Sequence, residues 1–429
     1  MSATLEKLRA AQPASGLFAG KDFLLSPEPL KLDPALVEEL HKLGHRLQLF
    51  QRAANELYNR SHSGKAPVWV ADYMDRGKAP ELLAFAQRKQ FRADLPQVIR
   101  PDLLLTDHSF AITELDSVPG GIGLTAWLAQ PYAEFGFDVL GGARGRLDGF
   151  RSILGDRADI LVYEEASTYR PEMEWAAEQT KRDGTDWRVF HAEDYKPGGA
   201  PSVYRFFELF DLPNIPSVGG LMDAVGSGAV RITPPFKPWL EEKMWLALFW
   251  SLPLREYWRR ELSERHFLSL RKYIPQSWVV DPTPLPHHAV IPGLEINAWR
   301  EMTKFSQKQR QLVLKVSGYS PQAWGSRGVI VGSDVPHQEW TSSVVHALDA
   351  FDHHPHVLMR FAQSRMIEHP YFDRKTGEVR TMRGRVRLCP YYFVTEGHAT
   401  LGGALATIVP ADKKLVHGMN DAILVPAVA

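Results

Sequence analysis

The sequence contains few cysteines and no excess of charge, and each shortage excludes a class of protein. Cys389 is the single cysteine among 429 residues, so the chain cannot form an internal disulfide or a zinc site built from several cysteines. Its 50 Lys and Arg residues balance 50 Asp and Glu residues, so no overall basic character indicates binding to nucleic acid or anionic lipid. A single unpaired cysteine favours a reducing compartment, and we predict a cytoplasmic protein.

Long apolar runs, repeats and low-complexity segments are also missing. The longest strongly apolar stretch, Met244 to Leu254, is far shorter than the roughly 20 residues that span a membrane, and we predict that it forms a core helix. The first ten residues carry three charged side chains and no apolar core, so we expect neither a secretory signal nor a membrane segment. Hydrophobic residues make up 44% of the chain and charged residues 23%, which is typical of a globular protein with a sizeable core.

The hydrophobic periodicity changes twice along the chain and predicts an α/β protein in three parts. Apolar residues at helical spacing from Pro34 to Asn59 predict a helical N-terminal region. A strand-helix-strand pattern follows from Asp159 to His191 and is typical of a parallel sheet. Strands return at Leu312 to Val316. The predicted domains are 1–155, 156–235 and 236–429.

Two predicted strands around residues 100–116 bring acidic side chains together. If the turn lies at residues 107–109, Asp102 is directly opposite Glu114 and Arg100 is opposite Asp116. Carboxylates at this spacing repel one another unless a cation lies among them. A set of oxygen ligands without His or Cys favours Mg²⁺, which often bridges to nucleotide phosphates.

The alternative for this hairpin is a solvated polar edge with an Arg–Asp surface pair. The same register places Leu104 opposite Ile112, on the face that carries Phe110 and the acidic side chains. Acidic groups that border a hydrophobic core favour the metal site over the solvated edge.

A glycine-rich segment, Gly120 to Gly123, follows the hairpin. Glycines let a backbone approach a ligand, and a helix that begins after them would attract anions. The signal is weak, because glycine-rich turns before helices are common for structural reasons. A dehydrogenase is a poor alternative, since these glycines follow an acidic strand rather than an apolar one.

A lysine lies inside the predicted buried strand Leu312 to Val316. An unpaired buried ammonium group costs several kcal/mol, so Lys315 must face a counter-charge or a polar cleft. The loop after the strand could present backbone N–H groups to phosphate, with Arg327 as a second cation. The alternative is a β-hairpin whose lysine pairs with a carboxylate, and we favour nucleotide binding. The candidate ATP-binding residues of this strand and loop are Lys315, Ser317, Gly318, Gly325, Ser326, Arg327 and Gly328.

Three arginines alternate near the end of the chain, at Arg383, Arg385 and Arg387. They could receive phosphate or a substrate carboxylate. A solvated strand face is an equally good explanation of the alternation.

The acidic hairpin and the lysine strand together resemble the ATP-grasp superfamily, in particular its circularly permuted branch that includes glutathionylspermidine synthetase. In that branch an Arg-x-Asp strand and a Glu-x-Asn strand precede the nucleotide-binding lysines and a glycine-rich lid. Arg100-Pro101-Asp102 and Glu114-Leu115-Asp116 match the two strands, and Ser117-Val118-Pro119 follows them. The segment 239–245, which contains Lys243, resembles a helix that leads toward the nucleotide cleft.

This resemblance implies an α+β ATP-grasp fold in circularly permuted order, with an inserted strand-helix-strand domain that resembles a pre-ATP-grasp domain. It implies an ATP- and Mg²⁺-dependent ligase that activates a carboxylate as an acyl phosphate and joins it to an amine, releasing ADP. Asp102, Glu114 and Asp116 would bind the metal, and Arg100 would act on the transferring phosphoryl group. Lys243 and Lys315 would contact phosphates, and the 317–328 loop would close over the intermediate.

Two departures from the family pattern matter. Asp116 replaces the usual Asn, which leaves the number of metal ions open, and the amidase domain of the bifunctional synthetases has no counterpart. The remaining alternatives are an ATP-grasp kinase and a nucleotide-binding protein without turnover. The expected partners are small-molecule or peptide carboxylates and amines, without nucleic acid or membrane, and a homodimer is left open.

Overall fold

A computed structural model describes residues 3–12, 22–323, 327–416 and 421–429. The chain forms two compact units, each built from separate stretches of sequence. The first unit contains residues 1–48, 96–235 and 364–429, and the second contains residues 49–95 and 236–363. The division of the sequence into three consecutive domains, with boundaries at residues 155 and 235, stays a prediction.

The helices include two long ones, and the remainder have 13 residues or fewer. They are α1 Ala3–Ala10, α2 Pro34–His62, α3 Trp69–Asp75, α4 Pro80–Ala86, α5 Ile122–Glu134, α6 Gly145–Leu154, α7 Arg170–Lys181, α8 Val218–Gly226, α9 Met244–Leu248, α10 Arg255–Tyr273 and α11 His337–Asp349. None of these helices combines the length and the apolar character needed to cross a bilayer, within the residues that the structure describes.

The strands form three sheets. They are β1 Leu30–Lys31, β2 Val98–Leu105, β3 Phe110–Asp116, β4 Arg157–Val162, β5 Asp186–His191, β6 Ser202–Phe206, β7 Arg231–Thr233, β8 Ser277–Val280, β9 Leu312–Val316, β10 Val329–Val331, β11 His356–Arg360, β12 Met366–Phe372, β13 Val379–Thr395, β14 His398–Pro410 and β15 Ile423–Val428.

The first unit holds two of these sheets. The larger has the order β1-β15-β14-β13-β2-β3, with β12 paired to β13. Strands β2 and β3 form a hairpin at one side of it, and β13 lies next to β2 although nearly 300 residues separate them in sequence. The second sheet has the order β5-β4-β6-β7, and all its pairs are parallel. This confirms the strand-helix-strand unit predicted from Asp159 to His191.

The second unit contains the antiparallel sheet β10-β9-β11-β8. Its core includes Trp299, Met302 and Trp340, each almost fully buried. The indole N–H of Trp340 donates to the carbonyl of Met302 at 2.7 Å, so the buried polar group is paired. Strand β9 lies centrally in this sheet, which is why apolar residues fill nearly its whole length.

Two sequence predictions need correction. The apolar stretch Met244 to Leu254 was expected to be one core helix, but α9 ends at Leu248 and a separate turn follows at Leu252–Leu254. Pro253 lies in that turn and cannot continue a helix, because it lacks an N–H donor. The predicted pairing of Leu104 with Ile112 is also wrong: a β-bulge after Asp102 shifts the register, and Leu104 pairs with Ala111.

Candidate active site

The acidic end of the β2–β3 hairpin has the predicted register. Asp102 is opposite Glu114 and Arg100 is opposite Asp116. The bulge lies just beyond these pairs, where Thr113 is the extra residue of β3 and its hydroxyl donates to the Asp102 carbonyl at 3.1 Å. The hairpin therefore keeps the acidic pairs in register while its far end is shifted by one residue.

Two arginines lie among the carboxylates and define what we call the acid–arginine cluster, Arg100, Asp102, Glu114, Asp116 and Arg387. Arg100 Nη2 is 2.8 Å from Asp116 Oδ2 and 3.3 Å from Asp102 Oδ1. Arg387 reaches the cluster from β13, and its Nη1 donates to Asp102 Oδ2 at 2.9 Å. One negative charge remains in excess when all five side chains are ionised.

The charges of the cluster shift its pKa values in the directions expected for buried ions. Burial raises the pKa of Asp116, Arg100 opposes this, and the negative charge of Glu114 adds to it. Burial alone would lower the pKa of Arg100, but the charges of Asp116 and Asp102 raise it well above its ordinary value. The arginines stay charged, and the carboxylates are crowded enough to favour a nearby cation.

Cys389 lies beside the same carboxylate. Its thiol donates to Asp102 Oδ1 at 3.3 Å. Burial, with the negative charge of Asp102, raises the pKa of Cys389 to about 12. The thiol is therefore protonated at neutral pH and acts as a hydrogen-bond donor rather than a nucleophile.

The donor types of this cluster suit Mg²⁺, but their arrangement does not form a metal site. Within the described ranges no three His, Cys, Asp or Glu side chains form a group that could hold a metal ion. The reason is visible in the contacts: both oxygens of Asp102 and both oxygens of Asp116 accept hydrogen bonds or ion pairs from Arg100, Arg387, Cys389 or a backbone N–H. Guanidinium groups supply the positive charge in this arrangement.

The glycine-rich segment after the hairpin has a packing role. Gly121 has a φ of +84° and immediately precedes α5, which favours glycine. A Cβ on Gly123 would lie 2.4 Å from the carbonyl oxygen of Glu172 in α7. The buried Glu172 carboxylate accepts a hydrogen bond from the Leu124 N–H at 3.1 Å. A side chain of the protein therefore occupies the position at the start of α5 where an anionic ligand was expected.

In the second unit the predicted lysine lies where expected. Lys315 is the fourth of the five residues of β9, opposite Val329 on one side and Val357 on the other, and is 6% exposed. Next along the chain, Ser317 accepts hydrogen bonds from two backbone N–H groups of the 243–244 turn. The Lys243 N–H donates to its carbonyl at 3.1 Å, and the Met244 N–H donates to its hydroxyl at 2.9 Å. The segment that contains Lys243 is thereby fixed to the end of β9.

A buried ion pair that the sequence analysis did not identify supports this junction. Lys78 and Glu242 form a salt bridge in which both side chains are at most 2% exposed. The Ser317 hydroxyl donates to the other oxygen of Glu242. Lys243 Nζ donates to the Ala323 carbonyl at 3.3 Å. No local pattern could have revealed Lys78, because its partner is 164 residues away.

The predicted loop is described in part. Gly318 packs closely enough that a Cβ would lie 2.8 Å from the Glu241 carbonyl oxygen. Gly328 donates its N–H to the Gln322 carbonyl at 2.9 Å, and Arg327 is exposed. Gly325 and Ser326 lie outside the described residues. Arg385 and Arg387 are both partly buried, whereas Arg383 is exposed, so the alternating arginines are not one solvated face.

No family model matches this sequence, and neither does any curated protein. Similar solved structures exist. One is a glutathione synthetase-like effector from Globodera pallida in its apo form, with a TM-score of 0.56 and 12% identity over 99% of this chain and 96% of that one. Another is described as a gamma-glutamylcysteine synthetase from Methylobacillus flagellatus. It has a TM-score of 0.42 and 11% identity over 90% of this chain and 87% of that one.

The first likeness concerns the fold alone, since identity is so low. It extends over nearly the whole of both chains, and it confirms the predicted α+β, ATP-grasp-like fold. The narrower resemblance to glutathionylspermidine synthetase stays a prediction.

Proposed function

We propose that this chain is an ATP-dependent ligase, which activates a carboxylate as an acyl phosphate and couples it to an amine with release of ADP. The observation that carries the proposal is the acid–arginine cluster: three carboxylates and two guanidinium groups are gathered on neighbouring strands of a sheet in a synthetase-like fold. Such concentrated, partly buried charge costs stability, and clusters of this kind are typical of functional sites. The proposed substrates are small-molecule or peptide carboxylates and amines.

ATP and Mg²⁺ are the proposed cofactors. The proposal assigns Mg²⁺ to Asp102, Glu114 and Asp116, whose oxygen ligands are the kind it prefers, and it requires Arg100 and Arg387 to release those oxygens. Bound Mg²⁺ would supply positive charge to the nucleotide phosphates.

The roles of the cationic side chains follow from their charge. Arg100, which is always protonated, would stabilise negative charge on the transferring phosphoryl group. Lys243 and Lys315 of the second unit would bind ATP phosphates. The proposed ATP-binding loop contributes Ser317, Gly318, Gly325, Ser326, Arg327 and Gly328, and its closure would protect the acyl phosphate from water.

The experiment that tests the ligase measures ADP release from the full chain with Mg²⁺, across panels of acids and amines. With hydroxylamine as the amine, an acyl phosphate is attacked at its carbonyl carbon, phosphate leaves and a hydroxamate forms. Acid-dependent ADP release together with hydroxamate supports the ligase. A stable phosphorylated product without hydroxamate supports the kinase, and binding of ATP without ADP release on any panel supports the non-catalytic protein.

Glu114→Gln is the variant that tests the cluster. It removes one carboxylate charge with little change in shape, so we expect ATP turnover to be abolished while the thermal unfolding midpoint stays within a few degrees of wild type. Asp107→Asn is the matched control, because Asp107 is an exposed acid in the turn of the same hairpin, and it should retain full activity. Near-normal turnover in Glu114→Gln would remove Glu114 from the proposed site.

A further inference from the structure

Arg146 is a buried arginine that the proposed function does not use. It is the second residue of α6 and is 1% exposed. Burial lowers its pKa to about 10, so the guanidinium is still charged at neutral pH. A buried charge of this kind is strongly destabilising unless it is paired.

The hydrogen bonds of Arg146 are incomplete. Nη1 donates to the Thr125 carbonyl at 3.2 Å, whereas Nε and Nη2 are buried and have no hydrogen-bond partner. Arg205 in the same unit is equally buried, and its three guanidinium nitrogens donate to carbonyls of Phe207, Pro234 and Pro235. The fold is therefore able to satisfy a buried arginine fully, and at Arg146 it does not.

No carboxylate of the chain compensates the Arg146 charge. Within the described ranges it has no ion pair, and the charged forms that would stabilise it are those of Tyr391 and Cys389. Both act as hydrogen-bond donors, the Tyr391 hydroxyl to the Gly120 carbonyl and the Cys389 thiol to Asp102 Oδ1, so neither supplies a negative charge. The residues outside the described ranges include no Asp or Glu. The chain therefore offers the Arg146 guanidinium no carboxylate as a counter-charge.

The two guanidinium nitrogens without hydrogen-bond partners lie on one edge of the group. Nη1 is closed in by the Thr125 carbonyl and by Gly403, where a Cβ would lie 2.6 Å away and φ is +135°. Nε and Nη2 form the opposite edge, and their two N–H groups point in parallel. That edge is the one by which arginine binds both oxygens of a carboxylate or phosphate.

The position of Arg146 connects it to the acid–arginine cluster. Its guanidinium carbon is 5.3 Å from the centre of the Tyr391 ring. The Tyr391 hydroxyl donates to the Gly120 carbonyl at 2.7 Å, and Arg100 Nη1 donates to the same carbonyl at 3.4 Å. A ligand on Arg146 would lie beside the proposed site of chemistry.

We propose that Arg146 binds an oxyanion of a ligand through its Nε–Nη2 edge. The proposed oxyanion binding does not depend on the proposed ligase function. The assignment of that oxyanion as a carboxylate of the substrate, one that anchors the substrate and is not itself activated, rests on the proposed function.

The experiment uses the full chain without ATP or metal. Thermal unfolding is followed in sodium succinate, sodium phosphate and sodium chloride at matched ionic strength, because a ligand that binds the folded state raises the midpoint with its concentration. We expect succinate or phosphate to raise the wild-type midpoint above its value in chloride. In Arg146→Met this oxyanion-specific rise should disappear, with roughly tenfold or greater loss of apparent affinity. In chloride the variant should unfold no earlier than wild type, since an unpaired buried charge has been removed.

Two further variants keep the test decisive. Arg144→Met removes an exposed arginine two residues earlier, one already paired with Asp183, and should keep the full oxyanion response. Arg146→Lys keeps the charge without the two-pronged edge, so it should fold and bind more weakly than wild type even if Arg146→Met does not fold.

Three outcomes separate the claims. No oxyanion-specific rise in wild type, or an undiminished rise in the Arg146 variants, overturns the site. A response to phosphate but not to succinate keeps the site and overturns the carboxylate assignment. Oxyanion binding that depends on Arg146 in a protein with no ADP release overturns the ligase alone.

Discussion

Asp211 is a buried acid whose protonation should make folding depend on pH. It is 5% exposed, and burial, with the nearby negative charge of Glu165, raises its pKa from 3.8 to about 7. Between those two values the folded state holds a proton that the unfolded state has released. Stability should therefore fall as pH rises from about 4 to about 7, by at most about 1.4 kcal/mol per pH unit for this group.

The comparison of wild type with Asp211→Asn isolates this effect. The free energy of unfolding, measured with urea at intervals from pH 4 to pH 8, should decline more steeply in wild type, and the two curves should become parallel above about pH 7. Curves that are parallel from pH 4 upward would mean that Asp211 is ionised in the folded protein.

Single residues also mark the limit of what the sequence can predict. Asp102 and Glu114 were placed opposite each other from an assumed turn at residues 107–109, and the bulge after Asp102 restores that register at the acidic end of the hairpin. The alternation at Arg383, Arg385 and Arg387 indicated a cationic strand, but which arginine meets Asp102 depends on the pairing of β13 with β2. No sequence pattern indicated a role for Arg146, because burial without a counter-charge is a property of the folded state.

At the scale of elements, the contact between α5 and α7 depends on a glycine. A Cβ at Gly123 would lie 2.4 Å from the Glu172 carbonyl oxygen, which belongs to the backbone of α7. Gly123→Ala must push the helices apart, and we expect a loss of about 1–3 kcal/mol in the free energy of unfolding. The measurement is chemical denaturation at equilibrium.

Gly219 provides a matched control for that substitution. Like Gly123 it is the second residue of its helix, but a Cβ there would meet nothing within 4 Å. Gly219→Ala should leave stability unchanged or raise it by up to about 1 kcal/mol, because alanine favours helix. Equal effects at the two glycines would show that Gly123 is not required for packing.

Elements were predicted best where their periodicity is strong. The strand Leu312–Val316 and the helix that begins at Pro34 were located from hydrophobic spacing. The bulge in the β2–β3 hairpin was missed because one inserted residue, Thr113, leaves no trace in composition or alternation. The break after α9 was missed because an apolar run has no period of its own, and Pro253 was the one available sign.

At the scale of the molecule, each compact unit is assembled from stretches that are far apart in sequence. The hydrophobic pattern reports local elements and not which of them pack together, so a division into consecutive segments was the natural prediction. Total charge, in contrast, is determined at this scale by the sequence alone.

The chain should associate most readily near neutral pH. Its formal charge is zero at pH 7 and its pI is about 7.3, and a net charge near zero removes the repulsion that keeps molecules apart. A histidine side chain ordinarily gains charge as the pH falls toward about 6.5, whereas a lysine titrates near 10.4. The chain has sixteen histidines, and burial lowers the pKa of three of them, His354, His356 and His369. Association should therefore fall more steeply below neutral pH than above it.

Sedimentation velocity at low ionic strength from about pH 6 to about pH 8.6 measures this asymmetry. Association controlled by charge should give a broad distribution of sizes that peaks near pH 7.3 and narrows faster on the acidic side. A discrete dimer of constant proportion across that range would contradict it and would instead support a specific homodimer, which the sequence left open. The two outcomes differ physically because a specific interface is held by complementary contacts that net charge barely alters, whereas unspecific contacts form only when repulsion is absent.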